Sequence, residues 1–236
     1  MKYEGKIVLV TGARRGVGRL LAEHFLNQGA QVIGFSRHED DEAQLPGYTP
    51  LAVDVGDPES VARGFEQVRK QFGRVDIVIN NAAVLTSQYA MIMPAGAAKG
   101  MLDANILGTF LVSREAAKLM RKSKWGRIIN IGSMAASLEP MGDSIYAATK
   151  AAIATLANVM AKEFAALNIT CNTLGITAIE TDMLGQLPKD KIDAVIAGLP
   201  LPRYATAEDI FNVVDFFASE RSGYVTAQTV FLGGVN

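Results

Sequence analysis

The chain has 236 residues, 49% of them hydrophobic and 20% charged, with a net charge of −1. That length and apolar share suffice for the core of one large α/β domain over residues 1–236, and no shift in composition marks a second. The near-neutral balance, without a basic block or interleaved basic and aromatic residues, argues against a nucleic-acid partner; the lone Cys171 excludes an intrachain disulfide, and His24 and His38 lack companions at ligand spacing, so no metal is expected.

The N-terminal segment MKYEGKIVLVTGA carries charges within its first six residues. Its apolar run is too short for a secretory leader or a membrane span, so the expected location is cytoplasmic, with no membrane partner. Ile7 to Val10 reads as a strand buried on both faces, stopped by Thr11-Gly12, with a helical pattern opening at Gly16. A helix start presents unpaired N–H groups that suit a pyrophosphate, and glycines at 12, 16 and 18 permit a tight turn and close approach. The spacing G-x3-G-x-G is a variant of the dinucleotide fingerprint and, alone, a weak signal. After a first helix ending near Gly29, Gln31 to Phe35 reads as a second strand and Leu51 to Val55 as a third. The link between them, Arg37 to Pro50, is near the minimum for a parallel crossover and leaves room for only a short helix.

Pro58 to Phe72 reads as a helix, with proline in its first turn and Val61, Phe65, Val68 and Phe72 at helical spacing before Gly73. Asp76 to Asn80 is the fourth strand and Ala95 to Met120 one long helix. Arg127 to Gly132 is the fifth strand, Ser144 to Leu167 another long helix, and Ile169 to Leu174 the sixth strand. Ala207 to Ser219 is a helix and Thr229 to Leu232 a closing strand. This alternation predicts a Rossmann-type, doubly wound α/β fold: a mostly parallel seven-stranded sheet with helices on both faces, in three layers. In such sheets ligands collect at the carboxyl ends of the strands, where Thr11, Arg37, Asp54, Asn81 and Ser133 fall. Tyr146 and Lys150, four apart on a helix, share one face; a loop could bring Ser133 beside them. Tyr-x3-Lys alone is common by chance.

Thr11-Gly12-x3-Gly16-x-Gly18, Asp54, Asn80-Asn81-Ala82, Asn105, Ser133, Tyr146-x3-Lys150 and Ile179-Glu180-Thr181-Asp182-Met183 stand in one order and spacing over essentially the whole chain. In these motifs the sequence resembles the classical short-chain dehydrogenase/reductase family, and within it the bacterial 3-oxoacyl carrier-protein reductases. The resemblance implies an NADP(H)-dependent oxidoreductase that interconverts a ketone and a secondary alcohol. Tyr146 would be the acid/base, with its phenol lowered by the Lys150 ammonium; Lys150 would also hold the nicotinamide ribose, Ser133 the substrate oxygen, and Asn105 a water chain. It implies a cofactor set of Gly12, Arg14, Arg15, Gly16, Val17, Gly18, Ser36, Arg37, Asp54, Val55, Asn81, Ala82, Ala83, Ile179 and Thr181, together with Tyr146 and Lys150. Where NAD-preferring relatives place a carboxylate, this chain has Ser36 followed by Arg37, and with Arg14 and Arg15 this suits a 2′-phosphate.

Three departures from the family pattern are visible. Ala83 replaces a glycine, Ile176-Thr177 replace the usual Pro-Gly, and the helix at Ala95 opens on small residues. The resemblance, with the apolar surface of the helix from Ser144, implies a homotetramer. The substrate pocket is assigned to Met134 through Ser144 and a loop at about 177–198. The basic pair that grips an acyl carrier protein maps onto Arg127 and Leu167, so carrier-protein binding should be weak. Two other readings stay open: a non-catalytic dinucleotide-binding sensor or scaffold, and a sugar, polyol or cyclic-alcohol dehydrogenase.

Overall fold

The computed structural model describes residues 1–38, 45–180, 185 and 189–235. Seven strands, β1 (Ile7–Thr11), β2 (Gln31–Ser36), β3 (Tyr48–Ala52), β4 (Ile77–Asn80), β5 (Gly126–Ser133), β6 (Ile169–Ile176) and β7 (Thr229–Phe231), form one sheet in the order β3-β2-β1-β4-β5-β6-β7. Every neighbouring pair is parallel. The order reverses between β1 and β4, which opens a crevice at their carboxyl ends.

Strand alternation sends neighbouring side chains to opposite faces. Val8 and Val10 pack with Leu21 and Phe25 of α1 (Gly16–Asn27) and with Val214 and Phe217 of α8 (Ala207–Ala218). Ile7 and Leu9 pack with Phe65 and Val68 of α2 (Pro58–Gln71), Leu111 and Val112 of α4 (Gly108–Met120), and Met160 of α6 (Ser144–Phe164). Each such buried side chain contributes about 1.5–3 kcal/mol of transfer free energy, so β1, apolar from Ile7 to Val10, anchors both layers. The helices start where the sequence supplies caps: Asp57 accepts from Glu59 N ahead of Pro58, and Thr206 forms a capping box with Asp209.

Several boundaries differ from those expected. β3 lies three residues earlier than Leu51 to Val55 and contains Pro50. Proline is tolerated there because β3 is an edge strand, with one row of backbone groups facing no partner. Gly34 opposite Pro50 makes room for the Tyr48 ring; a Cβ at Gly34 would lie 2.1 Å from the Tyr48 hydroxyl. The helix expected over Ala95 to Met120 is three pieces: α3 (Ala95–Met101), a π-helical segment Leu102–Leu107, and α4. α6 stops at Phe164, and Ala165–Leu167 is a 3-10 turn. Two helices were not expected, α5 (Ala135–Leu138) and α7 (Lys189–Ala197), the latter inside the presumed substrate loop. The short helix anticipated in the link from Arg37 to Pro50 falls on a stretch of which 39–44 lie outside the described residues. Among the described residues no helix is long and apolar enough to cross a membrane.

Asp215 of α8 accepts hydrogen bonds from Tyr3 Oη at 2.7 Å, Lys2 Nζ at 2.8 Å and His24 Nε2 at 2.9 Å. It thereby ties the N-terminus and α1 to α8, a pairing invisible in the local context of His24. Burial disfavours its charged form, but hydrogen bonds from His24, Lys2 and Tyr3 prevail and lower its pKa from 3.8 to about 2. A folded pKa below the unfolded one stabilises above pH 3.8, and that contribution disappears as pH falls through about 2. Asp215→Asn should therefore cost about 2 kcal/mol at pH 6, and the deficit should shrink toward pH 2. Urea unfolding of both proteins across that range checks this; a deficit independent of pH would contradict it.

Candidate active site

The turn after β1 is shaped by glycine at two positive-φ positions, Gly12 (+66°) and Gly16 (+57°). Gly18 has no room for a side chain: a Cβ there would lie 2.1 Å from Gly12 O and 2.5 Å from Asn81 Nδ2. Across the crevice, Thr11 Oγ1 accepts from Asn81 N at 3.0 Å and Ala82 N at 2.9 Å, while Asn81 Nδ2 donates to Thr11 O at 3.0 Å. The loops following β1 and β4 are thus one hydrogen-bonded unit. α1 opens from Arg15 with no side-chain cap and no acidic residue in its first turn, leaving N–H groups aimed into the crevice.

The other expected cofactor residues ring this turn. Val17 is buried, Arg14 and Arg15 are exposed, and Ala82 and Ala83 are half-buried. Ser36, at the end of β2, has a buried hydroxyl with no hydrogen-bond partner among the described residues, and Arg37 beside it is exposed. Asp54 accepts from Gly56 N at 2.9 Å, and Val55 is buried against Gly108. Ile179 is buried; Thr181 lies outside the described residues. A dinucleotide fits this arrangement, with a cradle that any Cβ would fill, a helix start free of acidic groups and a buried hydroxyl lacking a partner among the described residues.

At the carboxyl end of β5, Ser133 hydrogen-bonds Tyr146 of α6. Lys150, one turn on, has its Nζ 5.7 Å from the Tyr146 ring centroid and donates to Ile131 O at 2.8 Å. Tyr146 and Lys150 are 9% and 5% exposed. The expectation that Lys150 lowers the phenol is corrected here. Burial pushes Tyr146 up to about 12, with the Ser133 hydrogen bond lowering it and the Asp143 carboxylate raising it, and burial brings Lys150 down to about 8. Desolvation penalises both charged forms, and the lysine charge is directed at a strand carbonyl rather than at the phenol.

Asn105 sits in the π-helical segment, a feature frequent at functional sites. Its Oδ1 accepts from Val84 N at 2.8 Å, and its Nδ2 donates to Val84 O and Thr149 Oγ1, each at 3.0 Å. Thr149 in turn donates to Tyr146 O at 2.7 Å. The Asn105 amide is engaged in joining the loop after β4 to α6, so any part it takes in a water chain falls mainly to its main-chain carbonyl, which accepts from Thr109 Oγ1. Sequence reasoning missed Thr149, whose place inside Tyr-x3-Lys was the available signal. It also missed Asp143, three residues before Tyr146, and Ser87, which nothing local marks.

Two expectations about the rim change. Arg127 is 1% exposed, donates to Gly126 O and Ser219 O, and its guanidinium lies over the Trp125 ring at 4.5 Å. It stands at the start of β5, the far end from Ser133; Leu167 packs against the core. With Ile176 in place of proline, β6 continues through Ile176, paired with Ser133, and Ile176 O accepts from Met134 N at 2.8 Å.

A family model described as enoyl-(acyl carrier protein) reductase matches residues 12–236. The chain is 35% identical to a 3-oxoacyl-[acyl-carrier-protein] reductase of Salmonella typhimurium and 36% identical to one of Escherichia coli, covering 99% of this chain and 98% of each relative. Among solved structures, a putative gluconate dehydrogenase from Agrobacterium tumefaciens is similar with a TM-score of 0.93 at 28% identity, over 99% of this chain and 96% of that one. Aldohexose dehydrogenase from Thermoplasma acidophilum, in ligand-free form, gives 0.89 at 28% identity, over 98% and 94%. With a parallel doubly wound sheet and full-length likeness of this kind, the chain belongs to the short-chain dehydrogenase/reductase family of oxidoreductases.

Proposed function

We propose that the protein is an NADP(H)-dependent oxidoreductase that reduces a ketone to a secondary alcohol, or runs the reverse reaction. The observation that carries this reading is the buried Ser133–Tyr146 hydrogen bond beside Lys150, with β4 alone between its strand and the one that leads into the glycine turn. The bound dinucleotide supplies or accepts the hydride. Ser133 and Tyr146 converge on one oxygen atom, which suits a carbonyl better than a carbon–carbon double bond. Tyr146, held near 12, keeps its proton at neutral pH and delivers it to the developing alkoxide. Lys150, still mostly ammonium near pH 7, binds the nicotinamide-side ribose. Burial of both groups keeps water from screening the charges. A sensor or scaffold would need only the phosphate-binding half, so retention of Asn105, Ser133, Tyr146 and Lys150 favours turnover.

The choice of NADP(H) rests on Ser36, Arg37, Arg14 and Arg15 around the adenosine end. We expect kcat/KM with NADPH to exceed that with NADH by about a hundredfold, equivalent to roughly 2.7 kcal/mol. The double variant Arg14→Ala, Arg37→Ala should narrow the ratio to about tenfold or less. Equal efficiency of the two dinucleotides with the unmodified protein would refute the assignment. The same assay, run over 3-oxoacyl thioesters, cyclic ketones and sugar-derived ketones, tests the reaction class.

For the substrate, the carrier-protein reductases among its relatives point to a 3-oxoacyl group, whereas a buried Arg127 and an apolar Leu167 argue against docking of the carrier itself. We expect kcat/KM for a 3-oxoacyl group on a carrier protein to exceed that on a short thioester mimic by less than a hundredfold; a larger preference would overturn this. A sugar or polyol substrate is the second reading, favoured by the two structural relatives. The homotetramer belongs to this reading too: Ala148, Ala151, Thr155 and Val159 leave one side of α6 exposed and weakly polar. A cytoplasmic location likewise follows the family resemblance.

A further inference from the structure

β7 leads into two consecutive glycines in the left-handed region, Gly233 (+70°) and Gly234 (+84°), a pair of conformations that glycine adopts without strain. They turn the chain back across the carboxyl end of β6. Leu232 N donates to Gly175 O at 2.9 Å, and Gly233 O accepts from Leu201 N at 3.3 Å. A Cβ at Gly233 would lie 3.0 Å from Thr177 Cγ2 and 3.5 Å from Leu199 Cδ1, and one at Gly234 would lie 2.8 Å from both Cβ and Cγ of Pro200. Leu199 and Val235 are buried. The turn therefore packs directly on residues 199–201, the arm that follows α7. Leu199 N donates to Ile196 O at 3.0 Å and Gly198 N to Ala194 O at 3.3 Å, so this arm is a direct continuation of the helix end. α7 buries Ile192 and Ile196 against Ala178, with Met134 packed on the same cluster. Met134 follows Ser133, and its N–H donates to Ile176 O at 2.8 Å. One line of contacts thus runs from the glycine pair through Pro200 and α7 to the residue beside the Ser133 hydroxyl.

We propose that Gly233 and Gly234 are positioning residues of the reaction: their turn seats the arm after α7, fixes how closely α7 stands over the Ser133 end of the site, and so sets the grip on the carbonyl substrate. This inference rests on the oxidoreductase reading and adds to it two residues outside the Asn105, Ser133, Tyr146 and Lys150 set. A side chain at position 234 cannot be accommodated by rotation of its neighbour, because the Pro200 ring is locked to its own backbone. The arm has to move, and α7 moves with it. β4 and β5 stand between β6 and the strand that leads into the glycine turn at 12–18, so the phosphate-binding half lies outside the displaced region.

The test is Gly234→Ala in the whole chain, with Gly73→Ala as its control. Gly73 has a similar backbone, φ +71°, yet a Cβ there meets nothing within 4 Å among the described residues, so the control carries the strain without the collision. For the ketone of the panel above that turns over fastest, Gly234→Ala should raise KM about tenfold while kcat and the dinucleotide Kd each stay within about threefold. Hydrogen exchange read by mass spectrometry should quicken over 189–201 and stay as it was in β1 and β4. Gly73→Ala should change neither that KM nor exchange over 189–201. An unchanged KM in folded Gly234→Ala, or an equal rise in Gly73→Ala, would overturn the proposal. Should Gly234→Ala not fold, Pro200→Gly takes its place, because it withdraws the ring from the same contact; a KM rise supports the proposal and an unchanged KM overturns it. The exchange measurement needs no turnover. Failure of the unmodified protein to reduce any ketone of the panel is thus a failure of the oxidoreductase reading, whereas unchanged exchange over 189–201 overturns the seat whether or not a ketone is reduced.

Discussion

Tyr146→Phe should lower turnover by about a thousandfold, within the usual range for removing a general acid, while changing the dinucleotide Kd by no more than about threefold. The phenyl ring keeps the contacts with Met101, Ala135 and Ala147, so the fold of the site survives. What is lost is the hydroxyl that meets Ser133 and carries the transferable proton. Ser133 cannot replace it, because an aliphatic hydroxyl is a far weaker acid than a phenol. Lys150 is the nearest alternative acid, but it sits beyond the ring and donates to Ile131 O. Single-turnover kinetics with dinucleotide bound would separate chemistry from binding. Near-normal turnover would remove Tyr146 from the mechanism and return the chain to the sensor or scaffold reading.

Gly18→Ala should destabilise the fold by about 1–3 kcal/mol and weaken dinucleotide binding by tenfold or more. Helix propensity argues the other way: alanine is favoured over glycine by about 0.8–1 kcal/mol in a helix interior, and Gly18 lies inside α1. The contacts decide the sign. A Cβ placed 2.1 Å from Gly12 O and 2.8 Å from Gly12 C must push the turn away from α1, and those are backbone atoms that cannot rotate aside. Displacing them also breaks the alignment of Thr11, Asn81 and Ala82 across the crevice. Gly100→Ala is the internal control, since a Cβ there meets nothing within 4 Å and should be neutral or stabilising. Thermal unfolding of the two variants, with dinucleotide titrations, checks the pair; equal behaviour would show that propensity, and not close approach, governs Gly18.

The sheet was legible because most of its strands are short apolar runs between punctuating residues and alternate with helices, which implies parallel pairing; the strand order was not legible in the sequence. β3 was misplaced because Pro50 looks like a breaker when read locally, whereas position at the sheet edge, a property of the assembled fold, makes it harmless. The π-helical segment was illegible for a different reason: Leu102–Leu107 has the composition of an ordinary helix, and only the Asn105 hydrogen bonds to Val84 and Thr149 show what it positions. Within the site, Ser133, Tyr146 and Lys150 could be placed from spacing. Their ionisation could not, since it depends on burial and on which groups face them. Ser87 and Asp143 are 56 residues apart, so their contact exists only in the folded chain.

The π-helical segment also governs which changes in chain length this protein can accept. A π turn holds one residue more than the α turn it replaces, and each residue of an α-helix advances its face by about 100°. Deleting a single residue between Leu102 and Leu107 would return the stretch to a continuous α-helix with α3 and α4 still nearly in phase, because the π turn takes up its extra residue without rotating its flanks. What the deletion removes is the widened turn that presents Asn105 to Val84 and Thr149. One inserted residue has no such turn to absorb it: with α4 held to the sheet by Leu111 and Val112, α3 would rotate by about 100° and carry Met101 away from Tyr146. The stretch therefore accepts a shorter chain more readily than a longer one, and the site, more than the packing, is what a deletion there would spoil.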